Sequence, residues 1–541
     1  MILSGVPFSA QPFSTTDLDF SVASLFNALI ANQEAPRAYL LRATPYDPVT
    51  GAEIEVRASI GLEFPIIDGK DWPAILKTGA DTQVDLLGDE LDTPGRTAFG
   101  NIELLIGDGK NDALLQYFWD GHDVEVLMGA PDFSFSDFQR VVFGTASDAA
   151  FDTTRLSIVF RGRSELLDVP VQTTLYAGTG GLEGGADITS VEKPLIFGPL
   201  QNVSPVLVDR VNQIYQIHDG NMQAVTAAYD GAAVLTAAGD VADITATTVT
   251  SGQYKTQLSG GYIRLGAEPA KTLTLDVEGD DTVSYVQTAA DIIRRIVENY
   301  TVLTTADLDL QSFSTVNLDN SAPVGIFISA ETARQAITSL IESIGGAWTF
   351  TRQGLLTIAV FRFSTSVGQV SDESMVVGTF SRVKTLIPSW SRKLGYARAW
   401  TVQPQDTLVG SATNARKDFV AQAYRFSLSE DATIKTSRKL ATRIERNTLL
   451  ANKTDADAEV VRQQGVFGSN LQHFHFEARN QQFKYRVGQT ITMEHQRFGI
   501  LSDVIILGLR ENTGSKITLF HVMGDDVNTG DFTAEFTGEY F

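Results

Sequence analysis

Short apolar runs of period two, broken by turn residues about every 8–12 positions, constrain this chain more than any other feature it has. A strand turns successive side chains to opposite faces, so alternation marks a half-buried strand. From Arg96 onward the order is AFGNIELLIGDG, ALLQYFWDG, HDVEVLMGA, FQRVVFGTA and RLSIVFRGR. Val124, Val126 and Met128 alternate with Asp123, Glu125 and Leu127, and Leu156, Ile158 and Phe160 repeat the pattern. Such spacing predicts a β-barrel or sandwich rather than a parallel α/β sheet. Further on, Asp219-Gly220 and Asp230-Gly231 each lie between strand-like runs. Asp-Gly suits the positive φ angles of a two-residue hairpin turn, which predicts a β-meander. A second meander pattern runs from Phe483 to Gly524.

Helices are few. TAADIIRRIVENY offers Thr288 as N-cap with Asp291 three residues on, and Ile292, Ile293, Ile296 and Val297 as one apolar face. SAETARQAITSLIESIGG reads as a helix capped by Ser329, with Ala333, Ala336, Ile337, Leu340, Ile341 and Ile344 as its stripe and Gly345-Gly346 as its stop. ATIKTSRKLATRIERNTLLA reads as a third helix, basic on its outer face through Arg438, Lys439, Arg443 and Arg446.

The 541 residues are too many for one core, so several domains are expected, with boundaries near 170–175, near 283 and within the polar 365–390 stretch. The tail NTGDFTAEFTGEYF reads as an extended acidic, aromatic arm. The first twenty residues lack a basic n-region and an unbroken apolar run, so no secretory signal is expected, and no stretch approaches the ~18 apolar residues of a membrane span. The absence of cysteine removes disulfides, thiolate metal sites and cysteine nucleophiles. A net charge of −23 argues against specific nucleic-acid binding, which needs clustered Lys and Arg. That charge is uneven, with −27 on residues 1–350 and +4 on residues 351–541.

Candidate sites come out weak. The stretch YAGTGGLEGGADI, from Tyr176 to Ile188, has Gly178 and Gly180 of a dinucleotide fingerprint but Glu183 in its third position. A carboxylate there repels phosphate, and no helix follows, so a conformationally permissive connector is expected. His473 and His475 share one strand face, as two metal ligands can, but spacing supplies no third. They read as a polar outer face, with Phe474 and Phe476 turned to the core. His218 and His495 lie beside turns or strand ends with no partner legible in the sequence. Glu278, Asp280 and Asp281, and Asp307 with Asp309, are carboxylate pairs of the kind a chain with 65 acidic residues contains by chance. The loop Gly107 to Asp112 lacks a calcium pattern because Lys110 holds a ligand position. No catalytic residue, cofactor or metal is expected.

One ordered set of motifs goes further. It comprises Arg161 and Arg163; Leu167-Asp168 with Pro170 and Gln172; Tyr176-Ala177-Gly178; and Lys193-Pro194-Leu195 with Gly198, Asn202, Val203 and Pro205. An upstream segment from Gly100 to Gly129 and a downstream one from Ser251 to Asp280 extend it. Over roughly residues 90–360 the chain resembles tail proteins of long-tailed, siphovirus-like bacteriophages. The resemblance implies the central hub of the tail tip, or baseplate: a homotrimeric ring with tail-tube-like β-barrels, lining the channel through which DNA leaves. It implies the distal tail protein, the tape-measure protein and tail-tip or fibre proteins as partners, and a virion location after assembly in the host cytoplasm. Some relatives carry cell-wall hydrolase domains, of which this chain shows no sign. A host-receptor or glycan-binding tail protein is the alternative, with a cell-wall hydrolase behind it. Against the glycan reading, Trp119 and Trp348 sit in core-like settings.

The expected fold is thus mainly β with a few helices (α+β), multidomain. It divides into an N-terminal β-rich barrel domain (1–172), an inserted glycine-loop and β-meander domain (173–283), a helix-containing α+β domain (284–385) and a C-terminal hub-type β-barrel domain (386–541).

Overall fold

The computed structural model describes residues 20–62, 66–77, 79, 81–87, 94–469 and 471–525. The C-terminal arm and the first nineteen residues lie outside them. The protein is mainly β with a few helices, in several sheets. The largest has fourteen strands. Its path runs from Ser381–Thr385 through Leu471–Arg479, Ile517–Asp525 and Ile500–Asn512 to Thr82–Leu87, then through Pro94–Phe99, Arg155–Arg161, Gln139–Phe151, Asp123–Gly129 and Ala38–Ala43 to Val56–Ile60.

The two ends of the chain therefore share one sheet. The seam is antiparallel, Thr82 opposite Glu511 and Asp85 opposite Gly508. None of the sheets among the described residues closes on itself. The tail-tube-like barrels implied by the resemblance are thus corrected to open sheets: the long path keeps two free ends, at Ser381–Thr385 and Val56–Ile60.

Alternation reads correctly in Arg155–Arg161, where Leu156, Ile158 and Phe160 are buried and their neighbours are not. Asp123–Gly129 departs from it, because both of its faces are covered. Leu127 packs in a second small core with Trp72 and Phe138, and Glu125 is buried between Arg42 and Arg140. ALLQYFWDG opens as a 3₁₀ turn, Asp112–Gln116, instead of a strand.

The middle of the chain folds onto two smaller sheets. One joins Pro199–Val203, Leu273–Asp280, Met222–Asp230 and Ala233–Val234. The other joins Val206–Asp209, Ile214–Gln216, Tyr262–Leu265, Gln253–Gln257 and Thr236–Asp240. Asp230-Gly231 makes the expected tight hairpin, with Gly231 and Ala232 both at positive φ (52° and 73°). Asp219-Gly220 does not, because the strands on either side of it belong to different sheets. That turn carries the chain across the core instead.

Helices Ala289–Tyr300, Leu310–Asp319 and Ala333–Ser343 cover the hairpin Gly346–Phe350/Leu356–Val360. Ile292, Ile296, Ile337, Leu340 and Trp348 are buried together, each side chain contributing about 1.5–3 kcal/mol by leaving water. Thr288 caps the first of these helices, accepting from the Asp291 N–H at 3.2 Å. The cap of Ala333–Ser343 is Thr332, not Ser329. Thr332 and Gln335 satisfy each other's backbone N–H groups in a capping box, and pairing with Val169–Val171 fixes where the helix begins.

The basic third helix is corrected more deeply. Only Ala432–Ser437 is helical, and Thr442–Asn447 is a strand parallel to Ser389–Tyr396. The helix of that region is Lys453–Phe467, whose buried face includes Glu459, Gln463 and Gln464.

Candidate functional site

The glycine stretch is a self-contained turn. Gly178, Gly180, Gly181 and Gly184 have φ of 67°, 96°, 59° and 73°, values that side chains with a Cβ rarely adopt. The Gly178 N–H donates to the Glu183 carbonyl at 3.0 Å, the Gly180 N–H to the Gly184 carbonyl at 2.7 Å, and the Ala177 N–H to the Glu183 carboxylate at 3.2 Å. A phosphate cradle needs such groups aimed at an anion, and here the loop uses them itself. Lys193, 2.8 Å from Glu183, holds that carboxyl below its usual range. Tyr176 is buried beneath, among Val208, Ile214 and Tyr262, and that burial pushes its phenol up.

The other motif residues are joints between segments of the chain. Gln172 donates to the Lys193 carbonyl at 2.7 Å and accepts from the Thr173 and Thr174 N–H groups. Asp168 holds Arg334 of the helical layer, and Arg163 holds Asp307 at 2.6 Å. Gly198 lies against the Val324 carbonyl, where a Cβ would approach to 2.0 Å. Asn202, at φ 57°, receives Arg416 Nη2 at 2.9 Å, and the same guanidinium grips both oxygens of Asp276 at 2.9 and 3.0 Å. This node ties the meander to the segment around 399–420.

The candidate carboxylates are joints as well. Asp280 is 1% exposed, bonded to Arg295 and to Thr282 and 3.9 Å from His218 Nε2. His218 Nδ1 accepts the Ile196 N–H at 3.0 Å, and burial draws the imidazole down to about 4. Glu278 is half-buried on the same strand, two residues from Asp280, and Asp281 exchanges backbone contacts with Asn221. Asp309 is buried and held at 3.0 Å by Arg486. Lys110 folds back on Asp108. A cavity of about 300 Å³ lies between Ile341, Trp348, Phe361, Arg392 and Arg446. Its lining includes one carboxylate, Glu342, and no histidine. Trp119 and Trp348 are both buried.

The histidines differ most from the sequence reading. His473 and His475 do share one face of Leu471–Arg479, with Phe474 and Phe476 in the core behind them. The third imidazole is His521, directly opposite His475 on the neighbouring strand. One nitrogen from each ring lies within 4.8 Å of the others. No linear motif reveals this, since His521 is placed by strand pairing. His495 also gains a partner, Asp372 at 3.4 Å.

Among the described residues no helix is long and apolar enough to cross a membrane. No protein-family model and no curated protein matches the sequence. Solved structures do match along most of its length. A tail protein from Neisseria meningitidis is 10% identical, covering 90% of this chain and 97% of its own, with a TM-score of 0.36. A 43 kDa prophage tail protein from Shewanella oneidensis is 10% identical, covering 90% and 98%, at 0.35. A prophage tail protein from Listeria monocytogenes is 6% identical, covering 91% and 95%, at 0.34.

Proposed function

We propose that this chain is a structural protein of a phage tail, and within it the hub of the tail tip or baseplate. The observation that carries the reading is the ordered motif set from Arg161 to Pro205. Its members serve as locks between segments of the chain (Arg163–Asp307, Asp168–Arg334, Gln172–Lys193, Asn202–Arg416). A scaffold needs such locks because it must hold its shape while neighbours bind. The chain acts without catalytic turnover, as a homotrimeric ring joining the distal tail protein and tape-measure end of the tube to tip or fibre proteins. The acidic 1–350 region faces the channel in part. Lys and Arg there would hold DNA through counterion release, whereas carboxylates keep the polyanion off the wall.

A reconstruction of the particle that contains this chain tests each element. Three copies around the tail-tip axis are expected, with an acidic lumen. A six-fold or monomeric placement overturns the ring, and a lumen lined mainly by basic side chains overturns the charge argument. Hydrolysis of labelled peptidoglycan or capsule by the purified chain overturns the non-enzymatic reading.

A further inference from the structure

We infer that His473, His475 and His521 form a binding site for a first-row divalent transition-metal ion, with zinc the best match to the ligands. Imidazole nitrogen suits zinc, copper and nickel, whereas calcium and magnesium require oxygen. His473 Nε2 and His475 Nε2 are 3.3 Å apart. Two nitrogens bound to one tetrahedral zinc at about 2.0–2.1 Å are about 3.3 Å apart by the same geometry. The His521 ring stacks on His475, with centroids 3.9 Å apart and planes 8° from parallel. A shared ion must lie in the plane of each ring it binds, so one of the two parallel rings turns out of the stack to bring nitrogens now within 4.8 Å to ligand distance.

The backbone supports the cluster in two ways. The first is rigidity: Leu471–Arg479 and Ile517–Asp525 are paired over nine residues, so the three Cβ positions are fixed before an ion arrives. The second is the row that crosses the sheet at this level, His475, His521, Gly508 and Asp85 on successive strands. Glycine inside a strand weakens it and marks a close approach. A Cβ on residue 508 would lie 2.3 Å from Asp85 Oδ1 and 3.3 Å from His521 Nδ1. Glycine leaves that space open, and Asp85 Oδ1 stands 3.8 Å from His521 Nδ1. Gln83 steadies the carboxylate from its other oxygen at 2.7 Å. Metal-bound histidines commonly give their second N–H to such a carboxylate, which orients the ring and raises its basicity. With Nδ1 of His521 facing Asp85, Nε2 is the nitrogen that would serve the ion. His475 and His521 are half-buried, so water can complete the coordination.

The test uses the full chain, stripped with chelator and titrated with zinc sulfate by calorimetry. One zinc per chain is expected, together with a raised melting temperature. His475→Gln and His521→Gln should each weaken binding at least about tenfold, and Asp85→Asn by about 10–100-fold because the His521 ring loses the carboxylate that orients it. Zinc K-edge absorption on the unmodified protein needs no variant and should show three imidazoles at about 2.0 Å. Absence of saturable binding, fewer than three imidazoles at the zinc, or one-to-one binding that survives the double histidine variant each overturns the site.

Discussion

Glu511 is where the two ends of the chain are held together, and removing it should open the seam. The carboxylate is buried in the shared sheet. It accepts the Phe483 N–H and the Thr82 hydroxyl (3.3 Å), and Arg352 Nε lies 3.6 Å away. Arg352 also donates to the Phe483 carbonyl at 2.9 Å and lies 5.1 Å over its ring. Burial pushes the Glu511 acid up and is only partly offset by Arg352. Glu511→Ala leaves the arginine charge buried without its counterion, which costs about 3–5 kcal/mol. Replacing both partners with apolar residues, Arg352→Met with Glu511→Leu, removes the orphaned charge. As in the single variant, the Phe483 N–H and the Thr82 hydroxyl lack an acceptor, and the Phe483 carbonyl now also loses its donor, a further loss of about 1–3 kcal/mol that is smaller than that of the orphaned charge. The double variant should therefore be more stable than the Glu511→Ala single variant. Urea unfolding gives the free energies, and hydrogen exchange across 82–87 and 500–512 shows whether the loss is at the seam. A single variant costing less than about 1 kcal/mol, or a double variant costing more than the single, would refute the argument.

Three further outcomes follow from the joints. Gly178→Ala and Gly184→Ala should destabilise more than Gly180→Ala in thermal melts. All three have positive φ, but only the first two place a Cβ within 1.8 Å of Thr189 Oγ1 or 2.1 Å of Ile188 Cδ1; the reverse order would sink the claim. His218 is drawn from 6.5 to about 4, so the unfolded chain binds more protons between those values and stability should fall as pH drops through that window. His218→Asn keeps an acceptor for the Ile196 N–H and should flatten this dependence relative to the parent, as denaturation midpoints at pH 7 and pH 5 would show. Arg416→Lys loses the two-pronged grip on Asp276 and the bond to Asn202, at about 1.5–3 kcal/mol. Faster proteolysis within 405–425 is the expected sign, and unchanged cleavage would count against the node.

Much of this architecture was legible because its signals are local. Asp230-Gly231 turns a hairpin wherever two strands flank it, and Thr288 caps a helix through an N–H three residues away. The glycine stretch was legible as a connector because Glu183 and the missing helix speak against phosphate without any fold. Lys453–Phe467 was not legible, since its buried face includes Glu459, Gln463 and Gln464 and carries little apolar periodicity. The segment 442–447 became a strand because it pairs beside Ser389–Tyr396, and pairing overrides the weak helical preference of a basic run.

The sequence by itself determined the mainly β class, the Asp230-Gly231 hairpin and the apolar stripes of Ala289–Tyr300 and Ala333–Ser343. Each of these depends on neighbours within a few residues. Tertiary structure alone decided that Thr82–Leu87 would pair with Ile500–Asn512, that His521 would stand opposite His475, and that Asp309 and Glu511 would be buried with arginines from distant segments. Strand partners are chosen by sheet packing across hundreds of residues, and no periodicity within one strand encodes which other strand will lie beside it.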